Sequence, residues 1–172
     1  ITRSASAEGV AIDQYAKNRE AICITGEFGT GKDPMVRLLY SHSTLSHAPL
    51  VIIDCAQLHS RGWNFLIENK YSPLTDTDIT IHFKNIKALT DKQFLELFMM
   101  IKDMDIHVRN RLLFSSPAEG DSVMDDRARK LIEWFSCLVV TMPSMRSNRE
   151  AIPHLASLYI STLNMKYAKE II

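Results

Sequence analysis

The residues best suited to chemistry come together at Gly26-Glu27-Phe28-Gly29-Thr30-Gly31-Lys32-Asp33, a G-x-x-x-x-G-K pattern. It follows a short apolar run, Ala21 to Thr25, and opens a helical pattern near Asp33. A phosphate-binding loop needs strand, glycine-rich turn and helix in that order. Gly26, Gly29 and Gly31 let the backbone turn tightly and aim N–H groups inward, and the helix start adds partial positive charge where a nucleotide's β-phosphate would lie. Lys32 would reach the β- and γ-phosphates, which makes ATP or ADP the expected ligand. Two residues weaken the site. The position after the lysine usually offers a Ser or Thr hydroxyl to Mg²⁺, and here it is Asp33. The next residue, Pro34, has no N–H to give the α-phosphate, although its fixed φ suits the first turn of a helix.

Six histidines, His42, His47, His59, His82, His107 and His154, show no metal-ligand spacing and read as exposed or satisfied single residues. Cys23, Cys55 and Cys137 lie in or beside apolar runs without C-x-x-C spacing, which points to reduced core thiols and so to the cytoplasm. The eight methionines, including Met99, Met100 and Met104, are expected to fill core. Twenty basic residues balance twenty acidic ones, which leaves no electrostatic case for nucleic-acid or membrane-surface binding. No apolar run approaches the ~18 residues of a membrane span. With 46% hydrophobic and 23% charged residues the chain has an ordinary globular composition, and its opening at Ile1 reads as a piece of something longer.

Around the loop, apolar periodicity predicts the elements that must position it. A helix within residues 3–18 leads into the strand at 21–25, and a second helix runs from Asp33 to His42. Leu50 to Cys55, Ile79 to Phe83, Arg111 to Ser115 and Leu138 to Met142 read as further strands, the last stopped by Pro143. Residues 58–78 are poorly periodic, with a short helix near Trp63 to Ile67 and turns from Ser72 to Asp78. Thr90-Asp91-Lys92-Gln93 is a capping box opening a helix to about residue 104, and helices are expected at 125–135 and from Arg149. Five alternations of strand and helix call for a parallel sheet covered on both faces.

These residues resemble a known family. G-E-F-G-T-G-K-D is similar to the G-E-S-G-T-G-K-E loop of the AAA+ domain of bacterial sigma-54-dependent transcriptional activators. Arg3-Ser4-Ala5-Ser6 resembles that domain's opening G-x-S segment, and Ile53-Asp54-Cys55-Ala56 its N-C-A strand end. Met142-Pro143-Ser144-Met145-Arg146 with Arg149-Glu150-Ala151-Ile152-Pro153-His154-Leu155 is similar to its L-P-P-L-R and R-x-D-I-P-x-L run. The resemblance implies a P-loop NTPase (AAA+) fold, a three-layer α/β/α sandwich with five parallel strands in the order 5-1-4-3-2. Residues 1–148 would form the large α/β subdomain and 149–172 the start of a truncated helical lid.

Departures fall on the parts that work in that family. Its third strand ends in Asp-Glu, the Asp holding the Mg²⁺ shell and the Glu polarising water; by position these are Lys84 and Asn85 here. A cation opposes Mg²⁺ and an amide cannot take the water's proton, so Mg²⁺ is not expected to be well held and no catalytic residue is assigned. The loop that touches the sigma factor corresponds to Tyr71-Ser72-Pro73-Leu74-Thr75-Asp76, which shares almost nothing with G-A-F-T-G-A. The family's sensor Asn has no counterpart at Ser115-Ser116-Pro117. Its arginine-finger places hold Ala128 and Trp134, with Arg127 and Arg129 beside them on an expected solvated helix face.

Three functions remain open on these residues. One is a catalytically degenerate AAA+ regulatory domain in bacterial transcription control, of the two-component kind, with protein partners such as a sigma factor, RNA polymerase or its own regulatory domains. Another is an active ATPase that remodels the sigma-54 polymerase. The third is an unrelated P-loop kinase or nucleotide-binding module, with acidic groups such as Asp54 holding the metal. DNA contact would come through a separate domain, and a monomer or small oligomer without membrane association is expected.

Overall fold

Short runs rich in Ile, Val, Leu and Phe become strands because a parallel sheet buries both faces of each. In the computed structural model, which describes residues 9–27, 31–117 and 125–142, they are β1 (Ile22–Gly26), β2 (Leu50–Asp54), β3 (Thr80–Lys84), β4 (Arg111–Pro117) and β5 (Leu138–Thr141). All pairings are parallel and the order is β2-β3-β4-β1-β5, the expected 5-1-4-3-2 read from the other edge. Register places Asp54 beside Lys84 and Lys84 beside Ser115, so the carboxyl ends of β2, β3 and β4 meet near the end of β1.

Among the described residues, six helices accompany the sheet: α1 (Gly9–Lys17), α2 (Lys32–Ser41), α3 (Ser60–Glu68), α4 (Asp91–Asp103), α5 (Ile106–Arg109) and α6 (Asp126–Phe135). Alternate strand residues face opposite layers. Ile22, Ile24, Leu113 and Val140 pack with Ala16, Val36 and Leu39 of α1 and α2. Cys23, Ile81, Phe83 and Phe114 pack with Leu66, Leu97, Ile101 and Leu131 of α3, α4 and α6. Phe83 and Phe114 stack with centroids 5.4 Å apart. The three-layer sandwich is therefore as expected, whereas the lid at 149–172, residues 3–8 and the closing segment from Pro143 lie outside the described residues.

Local chemistry fixes the element ends. At α4 the Thr90 hydroxyl accepts from the Gln93 N–H while the Gln93 side chain accepts from the Thr90 N–H, the reciprocal box foreseen from sequence. Gly31 precedes α2 at φ 84°, a left-handed conformation that glycine adopts freely. Buried Ser72 donates to the Leu66 carbonyl and accepts from the Leu74 N–H, pinning a tight 3-10 turn at Pro73–Thr75 between α3 and β3.

Some expectations need correction. Met99 and Met104 are not core: they lie on the outer side of α4 at 43% and 40% exposure, while Met35 and Met142 are buried. Arg111, read as an ordinary strand residue, is buried at the start of β4 and donates to the Ala16 and Tyr15 carbonyls, tying α1 to the sheet. Burial pulls its guanidinium down to about 10. The three cysteines are buried free thiols as expected, and burial raises all three, Cys55 and Cys137 to about 12. Among the described residues, no helix is long and apolar enough to cross a membrane.

Candidate nucleotide site

Gly26, Glu27, Gly31, Lys32 and Asp33 lie between the end of β1 and the first turn of α2; Phe28, Gly29 and Thr30 lie outside the described residues. Lys32 Nζ donates to the Gly26 carbonyl at 2.9 Å and the Glu27 carbonyl at 2.8 Å, so the lysine spans the loop it belongs to. Partial burial lowers its pKa; nearby Asp33 opposes that shift and nearby Lys84 adds to it. Pro34 occupies the first turn of α2, as its fixed φ allows.

Lys84, at the carboxyl end of β3, reaches across to this turn. Its ammonium meets Asp33 Oδ2 at 2.5 Å, joining residues 51 positions apart. Asn85 follows in the left-handed conformation at φ 57°, which Asn tolerates better than most residues. Its N–H donates to the Ser115 carbonyl, and its side-chain Nδ2 donates to Asp54 Oδ1 at 3.0 Å. The same Asp54 oxygen accepts the Ala56 N–H. Beneath Lys84, His82 is buried with Nε2 2.8 Å from Ser115 Oγ. Burial depresses its pKa to about 4; Asp33 and Asp54 oppose this and Lys84 reinforces it.

The acidic groups here are engaged by other side chains and backbone. Mg²⁺ needs a near-octahedral set of oxygen ligands at about 2.0–2.1 Å. Asp33 and Lys84 stand where the resemblance puts the metal's hydroxyl and carboxylate ligands, and they are bonded to each other. Asp54, the alternative ligand weighed from sequence, is held by Asn85 and Ala56. Among the described residues, no group of three or more His, Cys, Asp or Glu side chains could hold a metal ion.

Other sequence expectations resolve differently. Arg127 is not a solvated side chain: its guanidinium donates to the carbonyls of Ile86, Lys87 and Leu89 and pairs with Asp91 at 2.8 Å. Arg129 is more exposed and pairs with Asp126 in its own helix. At the finger places, Ala128 is buried and Trp134 packs against Phe94 and Phe98 of α4. The stretch Tyr71 to Asp76 is a compact turn, and Arg109 donates to the Leu74, Thr75 and Asp76 carbonyls there. Of the histidines, His42 pairs with Asp13 and His107 packs on Phe135, but His82 is a buried residue of the site floor.

Comparison with known proteins agrees with this geometry. Residues 2–69 match the model of the Sigma-54 interaction domain. The transcriptional regulatory protein ZraR of Klebsiella oxytoca is 24% identical over 173 residues, covering 87% of this chain and 39% of ZraR. NtrX from Brucella abortus in complex with ATP superposes with a TM-score of 0.69 at 15% identity, over 98% of this chain and 44% of NtrX. The P-loop NTPase domain of an E. coli sigma-54 activator gives 0.52 at 15% identity, over 79% of this chain and 92% of that domain. This chain thus spans less than half of ZraR and of NtrX. The likeness to the AAA+ domain of sigma-54-dependent activators is borne out, and with it the P-loop NTPase fold.

Proposed function

We propose that this AAA+ domain is a catalytically degenerate regulatory module of a bacterial sigma-54-type transcriptional regulator, one that holds ATP or ADP without turning it over. The observation that carries the reading is the Lys84–Asp33 ion pair, which occupies with a cation and its partner the place where hydrolysis would need Mg²⁺. Asn85 adds to it, since an amide bonded to Asp54 cannot serve as a general base. Gly26, Glu27, Phe28, Gly29, Thr30, Gly31, Lys32 and Asp33 form the nucleotide loop. Protein partners, a sigma factor or flanking regulatory domains, receive the signal in the cytoplasm, and DNA is contacted by another domain. The compact turn at Tyr71 to Asp76 supports contacts unlike those of an extended sigma-binding loop, and the tethered Arg127 supports a monomer or small oligomer.

The test compares Mg²⁺-dependent phosphate release and ATP binding by calorimetry for the native chain and for a Lys84→Asp, Asn85→Glu variant. The native chain is expected to bind nucleotide with turnover at background, because loss of general-base assistance alone forfeits about 10²- to 10⁴-fold in rate. Robust turnover by the native chain would reject the degenerate reading in favour of an active remodelling ATPase.

A further inference from the structure

We infer that Lys84 takes the place of the metal ion, so that the site selects a nucleoside di- or triphosphate free of divalent cation over its Mg²⁺ complex. This rests on the nucleotide-holding role proposed above and specifies the form of nucleotide that is bound.

Three observations on the same sheet edge lead to it. The Lys84 ammonium is fixed from both sides: its strand is paired with β2 and β4, and its charge rests on Asp33 in the first turn of α2. Lys32 stands at the same turn, its ammonium donating to the Gly26 and Glu27 carbonyls while that of Lys84 meets Asp33, the residue after Lys32. The neighbouring acids are already committed, Asp33 to Lys84 and Asp54 to Asn85 and Ala56. A tetra-anionic triphosphate meeting this edge finds two ammoniums and the N-terminus of a ten-residue helix. An Mg²⁺ chelate brings half that charge, and its dication must approach Asp33 beside an ammonium already 2.5 Å from that carboxylate. A point charge on a flexible stem can neutralise phosphate oxygens without an octahedral shell. It supplies no bound water to attack the γ-phosphate, so occupancy is separated from hydrolysis.

Calorimetric titration of the full chain with ATP, once in EDTA and once in excess Mg²⁺, tests this without any substitution. Tighter binding in EDTA is expected. Lys84→Met, which keeps the stem and removes the charge, should weaken the EDTA affinity about tenfold and abolish the difference between the two conditions, while Lys84→Arg should retain part of it. Melting curves and circular dichroism of each variant establish that it is folded. Equal or tighter binding of Mg²⁺-ATP by the native chain would overturn this inference and leave the nucleotide-holding role standing. An EDTA affinity unchanged in folded Lys84→Met would also overturn it. Absence of binding in both conditions would overturn that role and the inference with it.

Discussion

Cations stand at both ends of the sheet, and they are used differently. At the amino ends, guanidiniums staple backbone: Arg111 holds the Ala16 and Tyr15 carbonyls, and Arg109 holds those of Leu74, Thr75, Asp76 and Met104. At the carboxyl ends Arg127 likewise holds the carbonyls that follow β3, but the cations beside the glycine-rich turn are ammoniums, Lys32 on the Gly26 and Glu27 carbonyls and Lys84 on the Asp33 carboxylate. A planar, weakly hydrated fork suits several fixed carbonyls at once, whereas a compact charge on a flexible stem exchanges partners readily. The guanidiniums keep the chain together; the two ammoniums can hand their charges to a ligand.

Removing the Arg111 staple should have the largest effect. Arg111→Met removes its bonds to the buried Ala16 carbonyl and the half-buried Tyr15 carbonyl and is expected to lower unfolding free energy by about 3 kcal/mol in urea titration. ATP affinity of the protein that remains folded should be unchanged. A loss of stability no greater than that of a surface substitution would erase the contrast between the two kinds of cation.

Acidification probes the floor of the other end. His82 is neutral in the folded chain with its pKa depressed from 6.5 to about 4, so the unfolded chain binds its proton more readily between those values. Stability from this residue is fully present above pH 6.5 and is lost as pH falls towards 4, a decline of about 3 kcal/mol. Urea unfolding at pH 7 and pH 4.5 measures it, and His82→Gln should flatten the difference. An equal slope in both proteins would show that His82 is not the group responsible.

An ordinary local interaction gives the scale. Thr90→Ala removes half of the α4 capping box and should cost about 1 kcal/mol by thermal or urea unfolding, with no change in nucleotide binding.

The smallest stability effect belongs to Lys84→Met, because the side chains of Lys84 and Asp33 are 32% and 50% exposed and water screens their attraction. A change below about 1 kcal/mol in urea unfolding is expected. A small stability cost with a large loss in metal-free nucleotide affinity would sharpen the distinction between a staple and an exchangeable charge.

The strands were legible in the sequence because each apolar run is short and rich in Ile, Val, Leu or Phe, and the capping box was legible because both its partners lie within four residues. The strand order came from the likeness to a family, since periodicity carries no information about which strand lies beside which. That the stretch from Gly26 to Asp33 joins a strand to a helix could be read for the same local reason as the capping box. Its pairing with β3 could not, because a lysine's partner 51 residues away is chosen by tertiary packing. One signal was available: an acid at Asp33 and a base at Lys84 replace the usual ligands at two positions the family brings together, and their charges match. Arg127 and Arg111 were missed because a charged residue in sequence gives no sign that its head will find carbonyls within the fold. Met99 and Met104 were misplaced because helical spacing of apolar residues does not say how wide the buried stripe is.

The strand order also sets a timetable for synthesis. β1, which leads into the glycine-rich turn, lies between β4 and β5 and pairs with neither β2 nor β3. Ile22 must wait for Leu113, about ninety residues later, before its first neighbour exists. At ribosomal speeds that is roughly 5 to 20 s during which an apolar strand and its glycine-rich turn have left the exit tunnel without a sheet to join. β2 and β3, adjacent in space, can pair while β1 is still waiting. Of the five described strands, β1 is thus the first made and among the last to take its final place.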